Sequence, residues 1–169
     1  MTDAVALLLK ELRLPAFRRH YRSLWQTAVD KSWSHTDYLA ALCEYELSDR
    51  YQRRTQQWLR EAKIATNKTF SALDQSRFSP PCKTALAKLQ QDSDWAHRAD
   101  NVLLIGPSGT GKTHIANALG HQLIAQGVRC KLFSAMALVQ HLQQAKRDLD
   151  LMTAMTRLDK YRVIIIDDI

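Results

Sequence analysis

One stretch of eight residues constrains this chain more than any other: Gly106-Pro107-Ser108-Gly109-Thr110-Gly111-Lys112-Thr113. It follows the short apolar run Asn101–Ile105 and opens a helical pattern, Lys112–Gln126, that Gly127 brings to a stop. Strand, glycine-rich turn and helix are therefore expected in that order. Each residue type in the stretch has a physical reason. Glycines reach positive φ and let backbone N–H groups come close to a ligand without a side chain in between. The helix start aims its free N–H groups and positive dipole end at the same place. Lys112 adds a point charge there, and the Thr113 hydroxyl can ligate magnesium. Together they match the Walker A pattern in full, which implies a nucleoside triphosphate, ATP with magnesium, wrapped by Gly106, Pro107, Ser108, Gly109, Thr110, Gly111, Lys112 and Thr113. His114 adjoins these residues and also suits a packing role. The plain alternative is a glycine-rich turn that binds nothing, and the flanking strand and helix argue against it.

A second signal reinforces the first. Val163-Ile164-Ile165-Ile166 is a run of apolar residues followed by Asp167 and Asp168. Alone, such a run describes an ordinary strand and turn. Placed one strand–helix unit beyond the glycine loop, it reads as a Walker B strand. Asp167 is then a magnesium residue beside Thr113, and Asp168 a general base for water. On this reading the catalytic pair is Lys112 and Asp168.

Between the two signals lie Cys130–Ser134, read as a strand, and Ala135–Lys146, read as a helix with Leu138, Val139 and Leu142 on one face. A polar stretch follows, and then a strand over Arg162–Asp168. Strands alternating with helices at this spacing predict a parallel sheet with helical crossovers. Continuous apolar runs such as Val102–Ile105 and Val163–Ile166 suit strands covered on both faces.

The first part of the chain has a different pattern. Apolar residues recur at three- and four-residue steps over residues 4–29, interrupted by Pro15, which predicts two short helices or a kink. Ser34 or Thr36 can cap a further helix running to about Ile64, with Asp37 in its first turn. Its early half shows an apolar stripe of Leu39, Leu42, Cys43 and Leu47. Residues 65–81 have a loop composition, with Pro80–Pro81 introducing a helix over about Lys83–Asp92. A small all-α domain over 1–70 and an α/β domain over 71–169 are expected.

Charge is unevenly divided between these parts. The chain carries a formal charge of +7. Residues 1–98 hold 16 Lys and Arg against 11 Asp and Glu, whereas residues 99–169 hold 8 against 6. The helical part is thus the better candidate for a polyanion. Arg18, Arg19 and Arg22 form one cluster, and Arg50, Arg53, Arg54, Arg60 and Lys63 another. Helical spacing would let Arg50, Arg53 and Arg54 follow a phosphate backbone together. No base-reading pattern is present, so binding to DNA would tolerate sequence. A solvated face shared with Glu44, Glu46, Asp49 and Glu61 is the competing reading. Tyr51 and Trp58 suit helix packing or base stacking.

Cys43, Cys82 and Cys130 stand too far apart for a metal or redox motif and read as small core residues of a cytoplasmic protein. The six His residues show no metal spacing. No signal peptide and no membrane-length apolar run is apparent.

Several stretches together resemble the IstB-like transposition helper ATPases, AAA+ proteins related to the DnaC-type helicase loaders. They are Leu9-Lys-Glu-Leu-Arg-Leu-Pro15, Tyr38–Leu47 with Asp49, Arg50, Arg53 and Arg54, and Lys63-Ile-Ala with Thr69 and Phe70. Trp95, Asn101–Leu119 and Ile164–Ile169 complete the set. The likeness covers essentially the whole chain. It implies an AAA+ parallel sheet preceded by a helical domain. It also implies ATP-bound oligomers on DNA that assist a transposase in choosing its target, with ATP hydrolysed to ADP and phosphate. By the same likeness Lys112 and Thr113 are nucleotide ligands, Asp167 the magnesium residue and Asp168 the catalytic acid. The family continues beyond the acidic strand with more sheet, a polar sensor residue, an arginine finger and a lid. This chain ends at Ile169, so a fold incomplete at its C-terminus, with an exposed apolar sheet edge and little hydrolysis of its own, is expected. Three rival readings are a replicative helicase loader, a small-molecule P-loop kinase and a non-enzymatic remnant that binds DNA regardless of ATP.

Overall fold

The computed structural model describes residues 4–76 and 78–168. Ile169, which closes the acidic stretch, lies outside them. The contacts divide the chain into two units, Met1–Arg54 and Thr55–Ile169. The division falls inside one long helix, earlier than the 65–80 boundary expected from loop composition.

The first unit is all helical. Helix α1 spans Ala4–Glu11 and α2 spans Pro15–Asp30, while α3, His35–Ala62, begins here. Proline sits at the start of α2, where its missing N–H removes a donor that has no helical partner in any case. The expected break at Pro15 is thus a clean one between two helices. Ser34 caps α3. Its hydroxyl accepts from the Asp37 N–H at 3.1 Å, and Asp37 in turn accepts from the Ser34 N–H and hydroxyl. These bonds hold the exposed Asp37 carboxyl below its ordinary value.

The inward stripe of α3 differs from the expected one. Leu42 is buried, but Leu39 and Leu47 are 55% and 68% exposed, and Cys43 is exposed as well. Glu46 takes the inner place instead, only 4% exposed. The free N-terminal N–H groups of α2 account for this. Glu46 Oε2 accepts from the Ala16 N–H at 2.9 Å, and Arg50 donates to its Oε1 at the same distance. A carboxylate from α3 therefore caps α2, which has no cap of its own. Burial pushes the Glu46 carboxyl up, but hydrogen bonds from Arg50, Ala16 and Phe17 outweigh it and hold the group below 4.5.

The second unit begins with the end of α3, which Lys63 terminates in the left-handed region at φ 58°. A short 3-10 turn, Phe70–Ala72, interrupts the loop that follows. Helices α4 (Pro80–Gln91) and α5 (Asp94–His97) precede α6 (Lys112–Ala125). Strand β1 (Cys130–Ser134), α7 (Ala135–Arg147), α8 (Leu151–Leu158) and β2 (Val163–Asp167) complete it. The strands pair in parallel, Cys130 with Val163 through Ser134 with Asp167. A crossover of helices α7 and α8 joins them, as parallel pairing requires.

Two expectations need correction. Asn101–Ile105 forms no strand among the described residues, and the sheet has two strands. The segment is still extended in pattern: Leu104 packs on Leu86, Ile115 and Leu119, whereas Leu103 and Ile105 are 78% and 91% exposed. Its backbone meets no ladder partner, so the apolar run that predicted burial on two faces is buried on one. The polar stretch after α7 contains α8, whose Ala154 and Leu158 are buried. On α7 the expected inner face holds at Leu138 and Leu142, both half-buried and in line with the buried Ala145, whereas Val139 is 52% exposed.

The core lies against α6. Ala62, Ile64, Ala96, Leu123, Ile124, Val128 and Cys130 form one cluster, which Trp58 joins as a packing residue. Burial pushes the Cys130 thiol up to about 12, so it stays protonated. Of the three cysteines read as core, only this one is buried; Cys82 is half-buried. No helix among the described residues is long and apolar enough to cross a membrane.

Candidate functional site

The glycine loop reaches α6 with its glycines where the backbone needs them. Gly109 and Gly111 hold φ of 77° and 91°, and Gly111 is the residue from which α6 starts. Side chains would be strained there. The Thr110 hydroxyl donates to the Pro107 carbonyl at 2.8 Å and closes the loop on itself. Lys112 folds back over it, its ammonium donating to the carbonyls of Gly106 at 2.8 Å and Pro107 at 2.7 Å. A cation thus sits at the head of a helix whose free N–H groups point the same way, an arrangement suited to a polyanion.

Strand β2 delivers Asp167 to this loop. The Thr113 hydroxyl donates to Asp167 Oδ1 at 3.1 Å, across 54 positions of sequence. A hydroxyl and a carboxylate oxygen meeting at a phosphate loop fit magnesium, a hard cation that takes oxygen ligands and keeps several waters. Asp168 follows in the left-handed region at φ 58°, an uncommon conformation that Asp tolerates better than most residues, and it is exposed. An open groove of about 980 Å³ borders Ser108, Lys112, Thr113, Asp167 and Asp168, with Ile105 along its wall. Of the predicted site residues, Gly106 to Thr113 and Asp167 therefore come together.

His114 borders the same groove but commits its ring to the backbone. Its Nε2 bonds the Thr69 carbonyl at 2.8 Å, on the segment that leads into the loop. Two residues not anticipated from sequence act beside it. Asn117, 3% exposed, accepts from the Ala65 N–H at 2.8 Å and donates to the Thr113 carbonyl at 2.7 Å. His121 Nε2 bonds the Ala65 carbonyl at 2.9 Å. An amide in the middle of an apolar helix was the available signal, since a buried polar group needs partners.

The basic residues are partly committed within the protein. Arg19 and Arg53 both face Asp49, the latter at 2.8 Å. Arg50 binds Glu46 and reaches the Arg13 carbonyl at 3.3 Å. The Arg22 and Arg54 guanidiniums lie 5.6 Å from the ring centres of Tyr21 and Tyr51. Arg60 bonds the Gln56 carbonyl at 3.3 Å. The Arg18 side chain forms no ion pair among the described residues.

Comparison with known proteins gives the family. Residues 7–169 match the family described as IstB-like ATP binding protein. An insertion sequence ATP-binding protein of Sinorhizobium fredii is 33% identical over 165 residues, covering 98% of this chain and 55% of its own length. The ATP-binding protein of insertion sequence IS21 from Pseudomonas aeruginosa is 29% identical over 163 residues, 96% of this chain and 61% of the relative. That of IS1162 from Pseudomonas fluorescens is 31% identical over 169 residues, 99% and 73%. The chain thus spans about three fifths of the length of the first two relatives. With the family match running from residue 7 to residue 169 through the phosphate loop and the acidic strand, the chain belongs to the IstB-like ATP binding protein family.

Proposed function

We propose that this chain binds ATP with magnesium through Gly106–Thr113 and works with a transposase as its DNA-bound helper. The observation that carries the reading is the meeting of Lys112, Thr113 and Asp167 at the start of α6. Lys112 would leave the Gly106 and Pro107 carbonyls for the β- and γ-phosphates, and the loop N–H groups would hold the remaining oxygens. Thr113 and Asp167 would hold magnesium, which supplies charge neutralisation between the phosphates. Asp168 would orient water as general base. The relatives named as insertion-sequence ATP-binding proteins support the transposition setting. Helical residues 1–70 would meet DNA without sequence preference, with Arg18 ahead of Arg19, Arg50 and Arg53, which are paired with acids, and with Arg60 and Lys63 further along the chain. Assembly into ATP-dependent oligomers and an AAA+ sheet larger than two strands belong to the same proposal, as does hydrolysis to ADP and phosphate.

A titration with a fluorescent ATP analogue, with and without magnesium, tests the core of this. Saturable binding is expected, weakened at least tenfold in Lys112→Ala, since losing a charged hydrogen-bonding partner costs about 1.5–3 kcal/mol. Equal affinity of the two proteins would remove the phosphate loop from the account.

A further inference from the structure

The phosphate loop is only one end of a hydrogen-bonded chain through α6. Asp167 bonds Thr113, the Thr113 carbonyl bonds Asn117, and Asn117 bonds the Ala65 N–H. His114 and His121 lie on the same side of α6, three residues before Asn117 and four after it, and hold the Thr69 and Ala65 carbonyls. The residues they hold, 64–69, have no helix or strand of their own. Such a segment must find partners for its backbone groups elsewhere, and here it finds them on the nucleotide-binding helix. Ile64, just before Ala65, is 6% exposed and sits against Gly120, so the segment is seated by packing as well.

We propose that residues 64–69 form a nucleotide-responsive strap, with Asn117 as the positioning residue that joins it to Thr113. A ligand that draws Thr113 and Asp167 into its own coordination fixes the first turn of α6. The Thr113 carbonyl and the Asn117 amide are held with it, and Asn117 presents one orientation to Ala65. By reciprocity, a seated strap favours the loop conformation that accepts the ligand. Asn117 touches no phosphate and acts through Thr113. His114, next to the metal-ligating hydroxyl in sequence, serves the far end of the strap. This inference rests on the nucleotide reading of Gly106–Thr113.

Hydrogen exchange on the full chain tests it, with adenylyl imidodiphosphate and magnesium as probe and fluorescence titration alongside. Saturating probe should slow exchange at the Ala65 amide by about fivefold or more, the lower end of ordinary coupling. Asn117→Ala should lose that slowing and bind the probe more weakly. His114→Leu, which releases the Thr69 carbonyl, should lose the slowing across the amides of residues 65–69, and His114→Gln, which restores a donor, should recover it. A merely structural strap would loosen in these variants without any difference between free and probe-bound protein. Saturable probe binding with unchanged exchange over 64–69 in the unaltered chain overturns the strap and leaves the nucleotide reading standing. Failure of the unaltered chain to bind the probe overturns both. If Asn117→Ala does not fold, the His114 pair decides: slowing that survives in His114→Leu overturns the proposal.

Discussion

At the scale of single residues, one carboxylate holds an inner place in the helical unit beside Ala16, Leu24, Ala28 and Leu42. Glu46 binds the Ala16 N–H and Arg50 together, and its own carboxyl is buried although the Arg50 side chain is mostly exposed. Replacing Glu46 with Gln keeps the shape and removes the charge. The change should cost about 1.5–3 kcal/mol at pH 7, the range for hydrogen bonds to charged groups. The sign of the pH dependence follows from the lowered pKa. The folded protein binds the Glu46 proton less readily than the unfolded chain, whose value is near 4.5. The stabilisation is therefore complete above 4.5 and is lost as the pH falls through the lowered folded value. Urea unfolding should show the gap between the unaltered chain and Glu46→Gln narrowing from pH 7 to below pH 4. A gap that stays constant would mean that Glu46 contributes through its shape alone. From sequence, Glu46 figured only in the competing reading of a solvated face, because nothing local marks which carboxylate will meet the start of another helix. The turn at Gly106–Thr113 was legible for the opposite reason, since the positive φ of Gly109 and Gly111 and the helix start that follows them are local geometry.

At the scale of elements, what could be read was whatever depends on neighbours in sequence. Helix α6 and strands β1 and β2 fall where periodicity puts them, within a residue or so. The Asn101–Ile105 strand failed because a strand is a property of a pair, and an apolar run says nothing of whether a partner edge is present. Helix α8 was missed although Leu151, Ala154, Met155 and Leu158 recur at helical steps; its polar residues hid a short stripe. Packing around α6 gives a further test. A side chain at Gly120 would overlap the end of Ile64 and come within 3.0 Å of Ile165 Cδ1. Ala in place of Gly adds up to about 1 kcal/mol of helix propensity. Overpacking against a buried Ile costs about 1–3 kcal/mol. The loss should win, so Gly120→Ala should lower the thermal midpoint by a few degrees. A rise would mean that the strap has room to move away.

At the scale of the whole chain, most of the excess of positive charge lies in the first 98 residues, but excess charge and available charge are different quantities. Arg19 pairs with Asp49 between α2 and α3, and Arg50 and Arg53 pair with Glu46 and Asp49 along α3. Counting Lys and Arg therefore overstates what a phosphate backbone can recruit. Arg18, exposed and without such an ion pair among the described residues, is a better contact than Arg50, although sequence spacing ranked the Arg50 group equally. The distinction can be measured. Each phosphate contact contributes about −0.9 to the slope of log K against log salt. Arg18→Ala should weaken binding to duplex DNA of unrelated sequences alike and flatten that slope by about 1, with little change in stability. Arg50→Ala should lower the stability of the helical unit, because it strips a buried carboxylate of its partner, and should leave the slope of the folded fraction nearly unchanged. A flattened slope in Arg50→Ala with unaltered unfolding would return that residue to the DNA face. Equal slopes in all three proteins would place the contacts elsewhere on the chain.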